Sequence, residues 1–353
     1  MKAPSLTVPR KRGEEAIRTL SKMKLLNHGL KVASDDRLHI PLNRLPSDDE
    51  HKALINELPE AILGEGDFAP RERRPNSLLE ALGDKLPPHL LASLPRSMDL
   101  IGSVAIIEIP PELEASKKLI GEAVLQIHKN VHIVLAKVGP VTGENRVRDY
   151  EAIAGSGSTE TIYREYGCIY LLDPTKVYFS PRLSQERMRV AQSVSDGETV
   201  LDMFAGVGPF SILIAKTKRN VSIHAADINP EAIKYLRRNI ILNRVEERVT
   251  PFLGDVREML ATSLVGRFDR AIMNLPERAA EFVPTACQAL NPEGGIIHYY
   301  TFQSGMKAVD QAEEELRRKV KEAGREVAAV KTSRLVRETA PRTWQVAVDA
   351  LVR

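Results

Sequence analysis

The residues best able to do chemistry follow a short apolar run near the middle of the chain. The segment from Asp202 to Ser211 reads DMFAGVGPFS and leads from that run into a helical pattern. Glycines at a turn from strand to helix let the backbone bend tightly and approach a ligand, and the first helical turn offers unpaired N–H groups. We therefore expect Asp202, Phe204, Gly206 and Gly208 to contribute to a cofactor site.

Two further acidic positions narrow the kind of cofactor. Asp227 lies 21 residues after Gly206, at the end of the next predicted strand, where a carboxylate can accept both hydroxyls of an adenosine ribose. Asp255, in GDVRE, ends the third predicted strand and can accept a hydrogen bond from an adenine amino group. Their chain neighbours Ile228 and Val256 are expected to line the same adenosine site.

NAD and S-adenosylmethionine both carry such an adenosine, and the turn favours S-adenosylmethionine. The dinucleotide fingerprint requires a third glycine where Ser211 stands. Asp202 would repel a pyrophosphate, whereas it suits the ammonium of a methionine moiety. Any one of the three aspartates alone is compatible with a turn or a helix cap, but three at successive strand ends favour a ligand site.

A second group of residues could act on a base. Asn274-Leu275-Pro276 ends the fourth predicted strand, where an amide can read a base edge and the proline fixes the direction of the backbone carbonyl. Two more clusters are KVYFSPRLSQER at 176–187 and GENRVR at 143–148. Taken singly, each is also compatible with a strand end that carries surface charge.

Together with DMFAGVGPFS, DINP, GDVRE, MNLP and HYYTF, these clusters resemble the archaeal and eukaryotic tRNA guanosine-37 N1-methyltransferase family. The resemblance extends over almost the whole chain and is strongest between Arg146 and Tyr300. It implies methyl transfer from S-adenosylmethionine to N1 of the guanosine just 3′ of the anticodon. The implied partner is tRNA, contacted at its anticodon region and its body.

The resemblance also implies roles for individual residues. Glu186 matches the family's proposed general base, Arg146 the arginine that contacts the oxygen of the target base, and Asn274 the residue that recognises its Watson–Crick edge. Asn274 is also expected to border the cofactor. The further residues expected in the substrate pocket are Tyr178, Pro276 and Arg187.

The implied reaction needs residues of these types. Guanine N1 carries a proton at neutral pH and is a poor nucleophile, so a carboxylate such as Glu186 must remove that proton. Negative charge then develops on O6, which the guanidinium of Arg146 can stabilise. The alternative for Glu186 is a plain ion pair with Arg182 or Arg187 on a surface helix.

Other functions stay open at this point. Glu277 follows NLP where relatives often carry lysine, which makes the pocket rim more acidic. A related wyosine-pathway enzyme transfers an aminocarboxypropyl group from the same cofactor, and some archaeal members methylate C7 of a modified guanosine. A non-catalytic RNA-binding protein with this fold is disfavoured because Arg146, Glu186 and Asn274 occur together.

Alternating strand and helix patterns from about residue 175 must position these residues. The predicted strands are TVLDMF, VSIHAAD, VTPFLGD, RAIMNL, GGIIHYY, REVAAVKTSRLV and WQVAVDALV, with helices after the first five and a hairpin between the last two. This α/β pattern predicts a Rossmann-type class I methyltransferase domain with a seven-stranded, mostly parallel sheet, preceded by two smaller α+β domains.

The predicted domain boundaries follow breaks in composition. We expect a small α+β domain that binds the tRNA body at 1–66, a linker at 67–77, a middle α+β domain assisting target-base binding at 78–174, and the methyltransferase domain at 175–353. In the middle domain, LIGSVAIIEIP is predicted as one strand, and TETIYREYG with CIYLLD as a hairpin.

Composition sets the outer limits. Of the 353 residues, 43% are hydrophobic and 27% are charged, as in globular proteins. The sequence has only two cysteines, Cys168 and Cys287, which disfavours a disulfide framework or a zinc site. No run of 18 apolar residues occurs, so we expect no membrane span. The scarcity of cysteine fits a reducing cytoplasm, where we expect the protein as a monomer. The net charge is only +3, but the first 31 residues contain eight basic and two acidic residues, either a phosphate-binding patch or a solvated helix face.

Overall fold

The chain divides into two units, Met1–Asn76 and Ser77–Arg353. The computed structural model describes residues 1–71, 74–142, 147–261 and 264–353. Within these ranges, no helix is long and apolar enough to cross a membrane. The last strand of the first unit ends at Asp67, inside the linker expected at 67–77. The further division of the second unit at 174 stays a prediction.

The first unit is a four-stranded antiparallel sheet with two helices. Its elements are β1 (Lys2–Pro9), α1 (Gly13–Lys22), β2 (Ala33–Ser34), β3 (Arg37–Pro41), α2 (Asp48–Glu57) and β4 (Ile62–Asp67), with strand order β2-β3-β1-β4. Helix α1 buries Ala16 and Leu20 against Leu6 and Ile40 of the sheet. At the start of α2, Ser47 and Glu50 form a reciprocal capping box, which satisfies backbone N–H groups that the helix leaves unpaired.

The second unit begins with a four-stranded sheet in the order β5-β6-β7-β8. Its elements are α3 (Leu78–Leu82), α4 (Pro88–Ala92), β5 (Met98–Ile101), β6 (Val104–Ile107), α5 (Lys117–Ile127), β7 (Ile133–Thr142) and β8 (Val147–Gly155). The single strand predicted over LIGSVAIIEIP is wrong, because the chain reverses between β5 and β6. Gly102 makes this reversal at φ +57°, a left-handed conformation that glycine adopts readily.

The predicted hairpin that follows is confirmed as β9 (Thr161–Glu165) and β10 (Cys168–Leu172). Its turn residues Tyr166 and Gly167 have φ of 47° and 75°, as a tight two-residue hairpin turn requires. The hairpin forms a sheet of its own, separate from the larger sheet that follows.

The rest of the second unit is the predicted Rossmann-type fold. Its elements are α6 (Ser184–Ser193), β11 (Thr199–Asp202), α7 (Pro209–Thr217), β12 (Ser222–Asp227), α8 (Pro230–Asn243), β13 (Val249–Leu253), α9 (Val256–Ala261), β14 (Arg270–Met273), α10 (Val283–Ala289), β15 (Gly295–Ser304), α11 (Ala308–Glu322), β16 (Val327–Ala340) and β17 (Thr343–Val352). The seven strands lie in the order β13-β12-β11-β14-β15-β17-β16, and only the pairs of β17 are antiparallel.

This strand order creates the crevice in which open α/β sheets bind ligands. The chain runs outward from β11 to β12 and β13, and then returns to the other side of β11 as β14. The loops after β11 and β14 therefore leave the sheet in opposite directions, and a crevice opens between them at the carboxyl ends of the strands. The glycine turn, the aspartates and Asn274 all follow these strand ends.

Two buried asparagines of α8 attach the β9–β10 hairpin to this fold. Asn239 accepts a hydrogen bond from Leu171 N–H (2.7 Å) and donates to the Leu171 and Val207 carbonyls (3.1 Å each). Asn243 accepts from Ile169 N–H at 2.9 Å and donates to its carbonyl. The side-chain amides thus replace a neighbouring strand along one edge of β10.

Candidate functional site

A cavity of about 330 Å³ opens at the carboxyl ends of β11, β12, β13 and β14. This volume lies in the range typical of small-molecule sites. The predicted site residues on its wall are Tyr178, Arg187, Phe204, Gly206, Asp227, Ile228, Asp255, Val256 and Asn274. The fold therefore brings most of the predicted residues to one place although they are spread over about a hundred positions of sequence.

The turn after β11 depends on both glycines. Gly206 and Gly208 have φ of +55° and +89°. A Cβ atom on Gly208 would lie only 2.4 Å from Leu236 Cδ1 of α8, so this glycine allows the turn to pack against that helix. Gly206 is on the cavity wall, whereas Gly208 immediately precedes α7 and acts behind the wall.

Asp227 is held ready by the backbone around it. Gly206 N–H donates to its Oδ2 at 2.7 Å, and Asn229 N–H donates to its Oδ1 at 2.9 Å. Each carboxylate oxygen can accept more than one hydrogen bond, so both can also receive ligand hydroxyls. Because the first bond joins the ends of β11 and β12, the glycine turn and the carboxylate have a fixed separation.

Asp202 lies behind the turn rather than on the cavity wall. Its side chain is 1% exposed, and its Oδ2 accepts a hydrogen bond from the Ser211 hydroxyl at 2.6 Å. Burial raises the pKa of this carboxyl to about 7. Its Oδ1 has no hydrogen-bond partner among the described residues. The expected contact with a ligand ammonium stays a prediction.

An aromatic pair and an arginine border the cavity beside Asp255. Phe204 meets Phe282 edge to face at 4.9 Å between ring centroids, and the guanidinium of Arg257 lies 5.1 Å from the Phe282 ring. Hydrogen bonds from Arg257 also lower the pKa of Asp255. Sequence reasoning used the GDVRE motif only for Asp255 and Val256, and it missed Arg257 of that motif and Phe282, because the positions of both side chains depend on how α9 and the segment before α10 fold over the strand ends.

Asn274 is fixed by a residue from the last strand. Its Oδ1 accepts a hydrogen bond from Gln345 Nε2 at 3.2 Å. Pro276 is buried beside it but is absent from the cavity wall, and Glu277 is exposed on the rim. Tyr178 is 36% exposed, and its hydroxyl accepts from Arg337 Nη2 at 3.1 Å.

Glu186 lies in the first turn of α6 and is 1% exposed. Its carboxylate accepts hydrogen bonds from Arg189 Nη2 at 2.6 Å and from the Tyr300 hydroxyl at 2.8 Å, and it also pairs with Arg334 of β16. The predicted alternative partners, Arg182 and Arg187, are therefore wrong. Glu186 is absent from the wall of the cavity.

The ion pairs around Glu186 extend to residues of two strands of the sheet, β15 and β17. Arg189 also binds Asp349, and Asp349 accepts from His298 Nδ1 at 2.8 Å. Burial raises the pKa of Asp349, but His298 and Arg189 together hold it well below its usual range. Burial likewise raises the pKa of Tyr300 far above normal, and Glu186 and Asp349 add to this, so the hydroxyl stays a proton donor to Glu186.

Arg187 and Arg182, the alternative ion-pair partners expected for Glu186, pair with other residues. Arg187 is 1% exposed and makes a bidentate ion pair with Glu165 of β9, at 2.6 and 2.7 Å, so it anchors the hairpin to α6. Arg182 pairs with Asp99 at 2.6 Å. Substrate contact by Arg187 stays a prediction, and it would have to coexist with this buried pair.

A second cavity, of about 310 Å³, adjoins the first. The two share Tyr178, Phe179, Ser180 and Glu277. The wall of the second cavity also carries charges of both signs, with the basic side chains Lys137, Arg148, Arg182 and Arg337 and the acidic side chains Asp99, Glu108, Glu277 and Glu338. Arg146, expected to contact the target base, lies outside the described residues.

Comparison with known proteins agrees with this geometry. Residues 161–328 match the TRM5/TYW2 methyltransferase domain, 78–159 the TYW2 N-terminal domain, and 6–50 the tRNA methyltransferase 5 N-terminal domain. The tRNA (guanine(37)-N(1))-methyltransferase Trm5b of Pyrococcus abyssi is 48% identical over 277 residues, 78% of this chain and 80% of its own. The protein of the same name from Methanocaldococcus jannaschii is 36% identical over 350 residues, 98% of this chain and 97% of its own. The chain belongs to the TRM5/TYW2 methyltransferase family.

Solved structures of this family share the fold. The complex of aTrm5 with tRNALeu covers 99% of both chains at 34% identity and a TM-score of 0.71. Methanocaldococcus jannaschii Trm5 in complex with adenosine covers 98% of both at 33% identity and a TM-score of 0.64. A TRM5/TYW2 relative with a different activity, the tRNA(Phe) (4-demethylwyosine(37)-C(7)) aminocarboxypropyltransferase of Pyrococcus horikoshii, is 35% identical over 77% of this chain and 95% of its own.

Proposed function

We propose that this chain transfers a methyl group from S-adenosylmethionine to N1 of guanosine 37 in tRNA. The observation that carries the proposal is the convergence of the glycine turn, Asp227, Asp255 and Asn274 on one cavity. They converge in a chain that aligns over nearly its whole length with a relative named for this activity.

The residues present fit the cofactor. A Cβ at Gly208 would displace the turn, Asp227 has two fixed oxygens that suit the ribose hydroxyls, and Phe204 and Ile228 supply apolar surface for a purine. Asp202 is a buried carboxyl behind the same turn, and its Oδ1 has no hydrogen-bond partner in the part of the chain that the structure describes, as expected if a ligand cation completes its environment. When bound, S-adenosylmethionine supplies an electrophilic methyl group.

The second cavity receives the target nucleoside in this proposal. Its shared wall with the cofactor cavity, at Tyr178 and Phe179, would bring the base next to the methyl donor. Arg148 would offset the charge of a flanking phosphate. Lys137 and Arg182 would contribute only by exchanging Glu108 and Asp99, their present ion-pair partners, for phosphate. Glu277 on the shared rim makes the entrance less basic than lysine would.

Glu186 accepts the N1 proton and Arg146 stabilises the charge on O6, as the family resemblance implies. For Glu186 to reach the base, one of its partners must release it. Arg334 is the most exposed of them, with 40% of its side chain accessible against 21% for Arg189, so its release is the least costly. Arg189 and Tyr300 would then keep the carboxylate oriented.

Aminocarboxypropyl transfer is the second candidate, because residues 78–159 match the TYW2 N-terminal domain. Two samples of S-adenosylmethionine, one labelled in the methyl group and one in the carboxyl carbon, separate the two reactions when each is offered with a guanosine-37 transcript and with a tRNA that carries 4-demethylwyosine at that position, the base named for the Pyrococcus horikoshii relative. We expect the methyl label to enter the guanosine-37 transcript and the carboxyl label to enter neither tRNA. Incorporation of the carboxyl label into the 4-demethylwyosine tRNA would assign the chain to the second reaction, and incorporation of neither label into either tRNA would refute both.

Three further points are proposals of the same kind. We infer that the protein acts as a monomer in the cytoplasm, that residues 1–66 bind the tRNA body, and that residues 78–174 assist binding of the target base. Seven of the eight basic residues in the first 31 positions are exposed, which supports the second point.

A further inference from the structure

The hairpin of β16 and β17 places a buried amide beside Asn274. Gln345 is 1% exposed and lies opposite Arg337 in the register of the two strands. Arg337 Nε donates to Gln345 Oε1 at 2.9 Å. The other two nitrogens of the guanidinium donate to Ser180 Oγ at 3.2 Å and to the Tyr178 hydroxyl at 3.1 Å.

This chain of hydrogen bonds has only one possible polarity. A guanidinium has donors and no acceptor, so Gln345 must turn its oxygen toward Arg337. Its NH₂ group then faces Asn274, whose Oδ1 accepts at 3.2 Å. Asn274 is on the cavity wall and its oxygen is directed toward Gln345, so the amide nitrogen is the polar atom directed away from Gln345.

We propose that Arg337 and Gln345 are positioning residues that make Asn274 a hydrogen-bond donor toward the target base. The inference rests on the proposed function. The Watson–Crick edge of guanine has one acceptor, O6, and donors at N1 and N2. Asn274 in this orientation recognises O6, where negative charge grows as N1 loses its proton, and does not recognise the N2 amino group.

Two substitutions at one position test the polarity. In Gln345→Glu the carboxylate still pairs with Arg337 but can only accept from Asn274, which must turn its oxygen to the cavity. In Gln345→Met the relay is absent and neither orientation is imposed. We expect single-turnover methylation to fall on the order of 10²-fold in the Glu variant, as when one preorganised donor is lost. We expect a loss of only about tenfold in the Met variant.

The order of the two variants in thermal stability should differ from their order in methylation rate. Gln345→Glu keeps a charge-assisted pair with Arg337, so its melting temperature should equal or exceed that of Gln345→Met, which leaves Arg337 without this acceptor. A merely structural role predicts that activity follows stability, with the Glu variant more active than the Met variant. That ranking would overturn the proposal.

Two more readouts locate the effect. Calorimetry should give the same S-adenosylmethionine affinity for all three proteins, and a loss confined to this affinity would assign Asn274 to the cofactor instead. The rate on a guanosine-37 transcript divided by the rate on an inosine-37 transcript should rise in the Glu variant, since the Asn274 oxygen exposed to the cavity then accepts from the N2 amino group. An unchanged ratio contradicts the proposal.

If wild-type protein transfers no methyl group to tRNA, the proposed function itself fails. If it does and the variants rank by stability, only this inference fails.

Discussion

Asp202 has a carboxyl group whose charge the fold disfavours. The side chain is fully buried, and the Ser211 hydroxyl is its one side-chain donor among the described residues. Ionisation of Asp202 is therefore unfavourable in the folded protein, and a cationic ligand near the turn would make it less so. Above neutral pH, where the carboxyl is ionised, we expect it to lower the free energy of unfolding.

The pH dependence of this cost can be measured. Burial raises the pKa of Asp202 from 3.8 to about 7, so the folded state retains a proton that the unfolded state releases. Stability from this group is therefore complete below pH 4 and is lost as the pH rises toward 7, at most about 4 kcal/mol. Asp202→Asn should make the protein more resistant to urea at pH 8, with a smaller gain at pH 5, whereas exposed Glu246→Gln should change neither. A less stable Asn variant at pH 8 would contradict this.

Glu186 is the residue at which structure and proposed chemistry must be reconciled. Glu186→Gln keeps the shape and can still accept from Tyr300, but the amide cannot take a proton. We expect the single-turnover methylation rate to fall on the order of 10²–10⁴-fold. Affinities for cofactor and tRNA should stay nearly unchanged. A variant with the wild-type rate would leave Glu186 with its ion pairs to Arg189 and Arg334 as its only role.

At the scale of elements, α8 does more than cover the sheet. Its asparagines hold β10, which leads directly into the segment that carries Tyr178 to the cavity. A polar pair four residues apart on the apolar face of a helix is a sequence signal for such a role, because buried amides must find partners. Asn239 and Asn243 carry this signal, and the sequence analysis did not predict their role from it.

Removal of one asparagine should be costly. Asn239→Ala leaves the Leu171 N–H and carbonyl and the Val207 carbonyl without this partner, in a buried setting. We expect the free energy of unfolding to fall by about 2–4 kcal/mol. The exposed neighbour provides the control, since Arg237→Ala should change stability by less than about 0.5 kcal/mol. Equal stability of the two variants in urea would show that the hairpin does not depend on this amide.

How far the sequence predicted the site also follows from the elements. Motifs at the ends of parallel strands could be placed together because those ends share one edge of the sheet, which located Gly206, Asp227, Asp255 and Asn274. Gln345 and Arg337 could not be placed, because their approach depends on the register of β16 against β17, which shifts at several positions. Arg334 was missed as a partner of Glu186 for the same reason, since it is distant in sequence and reaches Glu186 from β16. Arg189 lies three residues after Glu186 on the same helix, so its spacing could have indicated the pair.

At the scale of the whole molecule, the N-terminal unit should act through charge. The exposed members of its basic cluster are Lys2, Arg10, Lys11, Arg18, Lys22, Lys24 and Lys31, and only part of this charge is paired, as in Arg18 with Glu14 at 3.2 Å. Phosphate contacts by such residues are independent of sequence and sensitive to salt.

Deletion of residues 1–76 tests this unit, since the chain divides at Asn76. Each lost phosphate contact should reduce the slope of log affinity against log salt by about 0.7–0.9. The truncated protein should bind full-length tRNA more weakly and with a flatter salt dependence, and it should bind S-adenosylmethionine as before. Equal slopes for the intact and truncated proteins would show that the cluster is a solvated helix face.

The most direct test of the central claim is the identity and position of the product nucleoside. The experiment incubates intact protein and S-adenosylmethionine with a tRNA transcript that has guanosine at position 37, digests the tRNA, and identifies the nucleosides by mass spectrometry. A transcript with adenosine at position 37 is treated in the same way as the control. We predict N1-methylguanosine at position 37 of the first transcript and no methylated nucleoside from the second. An unmodified guanosine 37, or methylation of both transcripts alike, would contradict the account.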